Sequence, residues 1–288
     1  MRGLSLMREL SLETARGRLA AVRHGHAGGP RVLALHGWLD NAASFAPLAA
    51  LLPGLDLVAL DLAGHGQSCH RPEGAWYHLV DNNEDVAAAL DALGWERAAL
   101  LGHSLGGAVA TMFAAAAPER VARLVLVEAL GPLPFEPGTA ARSLAGALRD
   151  RRAVAGKRLR VFEDVAEAVQ ARMAANALSE AAARTLVERA LAPVEGGFVW
   201  RSDPRLTLTT PVRAHEQQIR EWIAAIQCPT LVVAADPPGN VLGAELRNAR
   251  FGSLREGHLA TLPGGHHLHL ENAAAVAAAI GPFLSGEG

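Results

Sequence analysis

Apolar runs and amphipathic stretches alternate along the first 130 residues of this 288-residue chain. The opening segments LSLETARG and RLAAVRHG alternate polar and apolar positions, which predicts a hairpin that turns near residues 15–17. Continuous apolar runs, typical of strands buried on both faces, occupy 31–37, 57–62, 98–102 and 124–127. Helical spacing occupies the stretches 41–52, 81–93 and 105–117. Because strands that alternate with helices pair in parallel, the pattern predicts an α/β fold with a mostly parallel central sheet flanked by helices.

The alternation stops at GPLPFEPG, residues 131–138, where three prolines and two glycines end the regular pattern. Residues 140–192 are alanine-rich, have helical spacing and contain no strand-like run. Strand patterns return only near the C-terminus, at 228–236 and 257–265, before a terminal helix. We therefore predict one α/β core domain made of residues 1–131 and 216–288, interrupted by a helical cap, or lid, at 132–215.

Composition indicates what class of protein this is and which partners and compartment to expect. Hydrophobic residues make up 50% of the chain and charged residues 19%, a balance typical of a globular protein. The formal net charge of −2 gives no indication of the strongly basic surface with which proteins bind nucleic acid or anionic membranes. Cys69 and Cys228 form neither a disulfide framework nor a CxxC metal pair, so a reducing, cytoplasmic compartment is predicted. No apolar run reaches ~18 residues, and we predict no membrane insertion. The pattern does not predict an oligomeric state.

The stretch LLGHSLGGAVA, residues 100–110, carries the strongest chemical signal of the sequence. An apolar run is followed by Gly102-His103-Ser104-Leu105-Gly106 and then by a helix of small residues. This strand–turn–helix context is the one in which a G-x-S-x-G elbow exposes a serine nucleophile. Ser104 is therefore predicted to be catalytic, against the alternative that it is an ordinary small residue in a glycine-rich turn.

A serine hydroxyl is a poor nucleophile until a base takes its proton, and in elbow proteins that base is a histidine late in the chain. The segment LPGGHHLHLEN, residues 262–272, supplies His266, His267 and His269. We predict that His266, directly after the double glycine, is the base, and that His267 is a packing or solvent-facing histidine. The three histidines could also indicate a metal site, but no carboxylate or cysteine cluster accompanies them, so no metal is predicted.

The histidine needs an orienting carboxylate, and two strand ends offer one. Glu128 closes the apolar run in LVLVEALGP, and Asp236 closes the run in PTLVVAADPPG. A carboxylate that ends a buried strand at the ligand-binding edge of a sheet needs a partner, which favours Glu128. Asp236 precedes Pro-Pro-Gly and also fits an ordinary turn. We predict Glu128 as the acid and keep Asp236 as the alternative.

The segment LHGWLDNAASF, residues 35–45, directly follows a predicted buried strand. A loop at this place can aim the backbone N–H of Trp38 at Ser104, and the N–H of Leu105 supplies a second donor. We predict that these two amides form an oxyanion hole. His36 is predicted to pack beneath the loop and to take no part in the chemistry.

Four motifs, HGW, DLAGHGQS, GHSLGG and GGHHLHLE, occur in the order and spacing of one known family. From about residue 8 to residue 284 the chain resembles an α/β-hydrolase with a helical cap, and it is most similar to the serine-hydrolase-like branch. The resemblance implies a triad of Ser104, His266 and an acid, oxyanion amides at Trp38 and Leu105, and no cofactor. The elbow serine also separates the chain from the branches that use an aspartate nucleophile.

These features predict a carboxylesterase-like serine hydrolase that acts on a small ester or thioester through an acyl-enzyme. Two alternatives stay open: a carbon–carbon bond hydrolase of a ring-cleavage diketone, and a non-catalytic binding module on the same fold. The cap carries a formal charge of +4, concentrated in RDRRAVAGKRLR at 149–160. A solvated helix face explains this charge, and attraction of an anionic substrate is the alternative. The predicted partner is a small molecule and not a nucleic acid.

Overall fold

A central sheet organises the computed structural model, which describes residues 7–154, 159–239 and 243–286. The strands within those residues are β1 Arg8–Thr14, β2 Gly17–Gly25, β3 Arg31–Leu35, β4 Asp56–Leu60, β5 Ala98–His103, β6 Val121–Val127, β7 Leu191–Val194, β8 Gly197–Trp200, β9 Thr230–Asp236 and β10 Gly257–Pro263. Eight of them form one sheet in the order β1-β2-β4-β3-β5-β6-β9-β10, while β7 and β8 form a separate hairpin.

The pairing of the strands confirms the predicted α/β fold with a mostly parallel sheet. β2 pairs antiparallel with β1 and with β4, and every later neighbour in the sheet pairs in parallel. All five residues of β4 and all six of β5 are buried, because helices cover both faces of a parallel sheet. This double burial is the reason that the strands have continuous apolar sequences.

Ten α-helices lie within the described residues. They are α1 Ala46–Ala50, α2 Asp81–Ala92, α3 Leu105–Ala116, α4 Ala140–Val154, α5 Val165–Asn176, α6 Glu180–Ala190, α7 Glu216–Ala225, α8 Ala244–Phe251, α9 Leu268–Glu271 and α10 Ala273–Ser285. Side chains of α2, α3 and α7 pack on one face of the sheet, and those of α1, α9 and α10 pack on the other. No helix in the part of the chain that the structure describes is long and apolar enough to cross a bilayer.

The segment between β6 and α7 holds α4, α5 and α6, but it also holds the β7–β8 hairpin, where the sequence predicted no strand before residue 228. The prediction was wrong there because each strand has only four residues and β7 contains Pro193. The hairpin turns at Gly196, whose φ is +83°. Its backbone pairs with Phe162, so the hairpin closes a third apolar cluster around α5 and α6.

Buried polar contacts anchor this segment to the loops that leave the carboxyl ends of β3 and β4. The Arg189 guanidinium on α6 donates to both oxygens of Asp61, at 3.1 and 2.9 Å, and the Asp61 side chain is fully buried. The Asn41 amide donates to the carbonyl oxygen of Leu186 at 2.8 Å. A buried carboxylate is costly without a cationic partner, so Asp61 of the core needs Arg189 of the segment to remain charged.

His36, the first residue after β3, supports the following loop from below. Its Nδ1–H donates to the carbonyl oxygen of Gly37 at 2.7 Å, and its Nε2 accepts from the N–H of Leu62 at 3.0 Å. This pairing needs the neutral ring, and burial lowers the pKa of His36 to about 4. The neighbouring His65 ring lies 5.0 Å away, and burial, with the His36 ring, lowers its pKa to about 3.

We expect the free energy of unfolding to fall as the pH is lowered from 6.5 towards 4. The unfolded chain takes up a proton at each of these histidines near pH 6.5, whereas the folded chain resists protonation until much lower pH, so acid favours unfolding. The contribution of His36 is a loss of about 2 kcal/mol between pH 7.5 and pH 5. Urea unfolding monitored by circular dichroism at the two pH values measures it.

The His36→Gln variant is the control, because glutamine offers an acceptor and a donor but does not titrate. Its stability should fall less than that of the wild type over the same pH interval, while the titration of His65 remains. Identical pH dependence in the two proteins would show that His36 is not a source of the acid sensitivity.

Candidate active site

Ser104 lies in the sharp turn between β5 and α3, in a strained backbone conformation with φ of 49° and ψ of −112°. The turn is possible only because its neighbours are glycines. A Cβ on Gly102 would lie 2.5 Å from the Cα of Gly107, and one on Gly106 would lie 2.0 Å from the carbonyl oxygen of Leu35. The predicted strand–turn–helix geometry is therefore present, and Ser104 is at its apex.

His266 lies in the loop between β10 and α9, and its Nε2 is 2.9 Å from Ser104 Oγ. The ring is partly exposed, whereas the neighbouring His267 is buried and directs its Nε2 towards Asp40 at 3.5 Å. His269 is fully buried against the ring of Phe45, with the ring centroids 5.0 Å apart. Of the three histidines at 266, 267 and 269, the structure brings His266 to the serine.

Glu128 follows β6 and is 1% exposed, with its Oε2 3.4 Å from His266 Nδ1. Its other oxygen accepts a hydrogen bond of 2.6 Å from the N–H of Ala235 on the neighbouring strand β9, which fixes the carboxylate plane. Like Ser104, Glu128 has a positive φ, of 51°. Asp236, at the end of β9, is exposed, and its side chain makes no hydrogen bond to His266. The structure thus brings Glu128, and not Asp236, to the histidine.

The two amides predicted to form an oxyanion hole belong to adjoining segments. Leu105 is the first residue of α3, where amides have no intrahelical acceptor and the helix dipole favours negative charge. The next amide, of Gly106, donates to the carbonyl oxygen of His36 at 3.0 Å and so joins the elbow to the loop that carries Trp38. Within the described residues, neither Trp38 nor Leu105 uses its N–H in a hydrogen bond.

The indole of Trp38 links this loop to the segment between β6 and α7. Its Nε1–H donates to the carbonyl oxygen of Leu206 at 3.1 Å, and the side chain is 52% exposed. The sequence predicts only a backbone role for Trp38, because no local pattern reveals a side-chain partner 168 residues away.

A buried group of polar side chains next to the histidine loop is not predicted by any pattern in the sequence. Asp40 is 2% exposed, lies 3.6 Å from His103 Nδ1, and pairs with Arg172 from α5. Burial alone would raise the pKa of Asp40, but His103, His267 and Arg172 outweigh it and hold the pKa well below its usual range. Asp40 lies in LHGWLDNAASF and His103 in GHSLGG, but these motifs predict roles only for Ser104 and for backbone amides. Arg172 lies in no motif.

The arrangement is suited to attack by a serine on an electrophilic carbon. A hydroxyl lies within hydrogen-bond reach of an imidazole, a carboxylate faces the opposite ring nitrogen, and two free amides lie in adjoining segments. No group of three histidine, cysteine, aspartate or glutamate side chains among the described residues is placed to hold a metal ion.

Comparison with known proteins gives a consistent answer. Residues 30–273 match the model of the family described as alpha/beta hydrolase fold. A serine hydrolase-like protein of Danio rerio is 32% identical over 278 residues, which are 93% of this chain and 85% of the relative.

Two solved structures agree with this match. A crystal structure of a hypothetical protein from Pseudomonas aeruginosa PAO1 has a TM-score of 0.91 and 42% identity, and the alignment covers 98% of this chain and 100% of that one. A thioesterase domain from the curacin biosynthetic pathway has a TM-score of 0.84 and 29% identity, covering 96% and 99% of the two chains. The chain belongs to the α/β-hydrolase family and, within it, to the serine-hydrolase-like branch.

Proposed function

We propose that this α/β hydrolase cleaves small carboxylic esters or thioesters with Ser104 as nucleophile. The observation that carries the proposal is the 2.9 Å contact between Ser104 Oγ and His266 Nε2 at the apex of a strained elbow. Strain of this kind costs about 1–3 kcal/mol and collects at functional sites. The similarity to a thioesterase domain supports the inclusion of thioesters among the substrates.

In the first half of the reaction, Ser104 Oγ attacks the carbonyl carbon while its proton passes to His266 Nε2. The carbonyl oxygen becomes an oxyanion and accepts hydrogen bonds from the amides of Trp38 and Leu105. His266 then returns the proton to the departing alkoxide or thiolate as the carbon–heteroatom bond breaks. The acyl group is left as an ester of Ser104.

In the second half, His266 removes a proton from water, whose oxygen attacks the acyl carbon. The tetrahedral intermediate collapses, the acid leaves, and the proton returns to Ser104 Oγ. Glu128 faces His266 Nδ1–H throughout, so it holds the tautomer in which Nε2 accepts a proton and stabilises the imidazolium that forms. The hydrogen bond from Ala235 keeps Glu128 oriented, and no cofactor enters these steps.

We further propose that the residues 132–215 act as a cap that selects the acyl chain. The anchoring of this segment at Asn41 and at Asp61, next to the loop that carries Trp38, supports that role. Two of its basic residues already have partners: Arg151 lies 4.4 Å above the ring of Trp76, and Arg160 pairs with Glu167 at 2.7 Å. These contacts favour a structural role for them over attraction of an anionic substrate, and residues 155–158 of the basic stretch lie outside the described residues.

The Ser104→Ala variant should lose at least ~10³-fold in kcat, because the remaining groups cannot form an acyl-enzyme. A series of p-nitrophenyl esters and acyl thioesters of increasing chain length provides the substrates. The thermal unfolding midpoint should change little, since Ser104 is only partly buried. Turnover near that of the wild type in pure Ser104→Ala protein would rule out the serine mechanism.

A fluorophosphonate probe distinguishes the alternatives in the wild-type protein. Labelling of Ser104 together with ester or thioester turnover supports the proposal. A labelled Ser104 without such turnover would redirect the assignment to carbon–carbon bond hydrolysis, and an unlabelled, inactive Ser104 would indicate a binding module.

The Glu128→Gln variant should lose at least ~10²-fold in kcat, because an amide has one oxygen for two donors, His266 Nδ1–H and the N–H of Ala235. The matched control is Asp236→Asn, which changes an exposed carboxylate at the end of β9 and should keep kcat within about 2-fold. Steady-state kinetics on both variants measure the difference. A larger loss in Asp236→Asn would assign the acid to Asp236.

A further inference from the structure

His103 joins the nucleophile elbow directly to the loop of the base. It precedes Ser104 in the chain, and its Nε2 lies 2.8 Å from the backbone carbonyl oxygen of His266. A carbonyl oxygen only accepts hydrogen bonds, so His103 Nε2 carries the proton and donates it. The side chain of His103 therefore links the elbow, at the residue before the nucleophile, to the backbone of His266.

The backbone around His266 has few other restraints. Gly264 and Gly265 precede it, and glycines leave a chain with more conformational freedom than any other residue. The amide of Gly264 reaches the carbonyl oxygen of Asp236 only at 3.4 Å, and the bonds of the following turn begin at the carbonyl oxygen of His267. Within the described residues, the contact from His103 is the hydrogen bond that holds the His266 carbonyl.

The ring of His103 is itself firmly placed. It is 1% exposed, with its centroid 4.1 Å from that of His269 and 5.2 Å from that of His267. A Cβ on Gly37 would lie 2.8 Å from His103 Nδ1 and 2.9 Å from Asp40 Oδ2, so the loop packs closely against this edge of the ring. The ring can hold the carbonyl oxygen of His266 in place because it cannot change rotamer without displacing its neighbours.

We propose that His103 is a positioning residue which sets the distance between Ser104 Oγ and His266 Nε2 by holding the carbonyl of His266. This inference rests on the proposed function of Ser104 and His266. Proton transfer between the two side chains depends steeply on their separation, and a displacement of about 1 Å can cost ~10²-fold in rate. His103 touches no substrate in this role, and its effect passes through His266.

Two substitutions separate this role from simple packing. In His103→Gln, the side-chain amide nitrogen can reach the place of Nε2 and still donate to the carbonyl of His266. In His103→Asn, the shorter amide lies at the place of Nδ1, next to Asp40, and leaves that carbonyl without a donor. Both variants keep a polar side chain in the buried cluster, so packing and desolvation change in similar ways.

We expect His103→Asn to lower kcat by ~10-fold to ~10²-fold with KM changed by less than about 3-fold, and His103→Gln to keep kcat within about 3-fold of the wild type. The rate of fluorophosphonate labelling of Ser104 should fall in parallel with kcat. Equal losses in the two variants, or an unchanged kcat in His103→Asn, would overturn the proposal. If the wild-type Ser104 is neither labelled nor needed for turnover, the proposed function fails instead, whatever the His103 variants do.

A measurement on the wild-type protein covers the case in which His103→Asn does not fold. In protein with ¹⁵N-labelled histidine, assigned through His103→Gln, the His103 ring should carry its proton on Nε2 and exchange it slowly with solvent. A His103 ring without a proton on Nε2, or one that exchanges this proton as fast as an exposed histidine, would contradict the hydrogen bond on which the inference depends.

Discussion

The candidate site depends on how closely α3 approaches the sheet where β5 ends. Side chains at Gly102 or Gly106 would collide with backbone atoms at 2.5 and 2.0 Å, so the chain reverses there only with glycine. This close packing brings the amide of Gly106 within 3.0 Å of the carbonyl oxygen of His36. The elbow and the loop after β3 are thereby fixed side by side, and the nucleophile and both candidate oxyanion amides take their positions from one turn.

The sequence predicts well those strands whose burial shows as an apolar run of consecutive residues. β4 and β5 are buried along their whole length, so burial alone produces the apolar runs that predict them. The preference for Glu128 over Asp236 follows from its place at the end of a buried strand, but the contact that orients its carboxylate depends on the register of β6 against β9. That register puts the amide of Ala235 beside Glu128, and no spacing in the sequence reveals it.

Other features were missed for related reasons. The β7–β8 hairpin has four residues in each strand, too few for an alternation to stand out, and its strands pair with each other and with Phe162 instead of with the central sheet. The pairing of Asp40 with Arg172 spans 132 residues and involves two side chains that look like surface charges in their own segments. Long-range electrostatic partners of this kind become visible only when the fold brings the segments together.

The carboxylate of Asp61 limits the exchange of the segment between β6 and α7 as an independent unit. Asp61 accepts from the amides of Ala42 and Gln67, at 2.7 and 2.8 Å, and from Arg189 of that segment. In a chimera whose replacement segment had no arginine at this position, the recipient would keep this buried carboxylate without its guanidinium, at a cost of several kcal/mol. The exchangeable unit is therefore discontinuous in sequence, because it includes Asp61 with Arg189 and, by the same logic, Asp40 with Arg172.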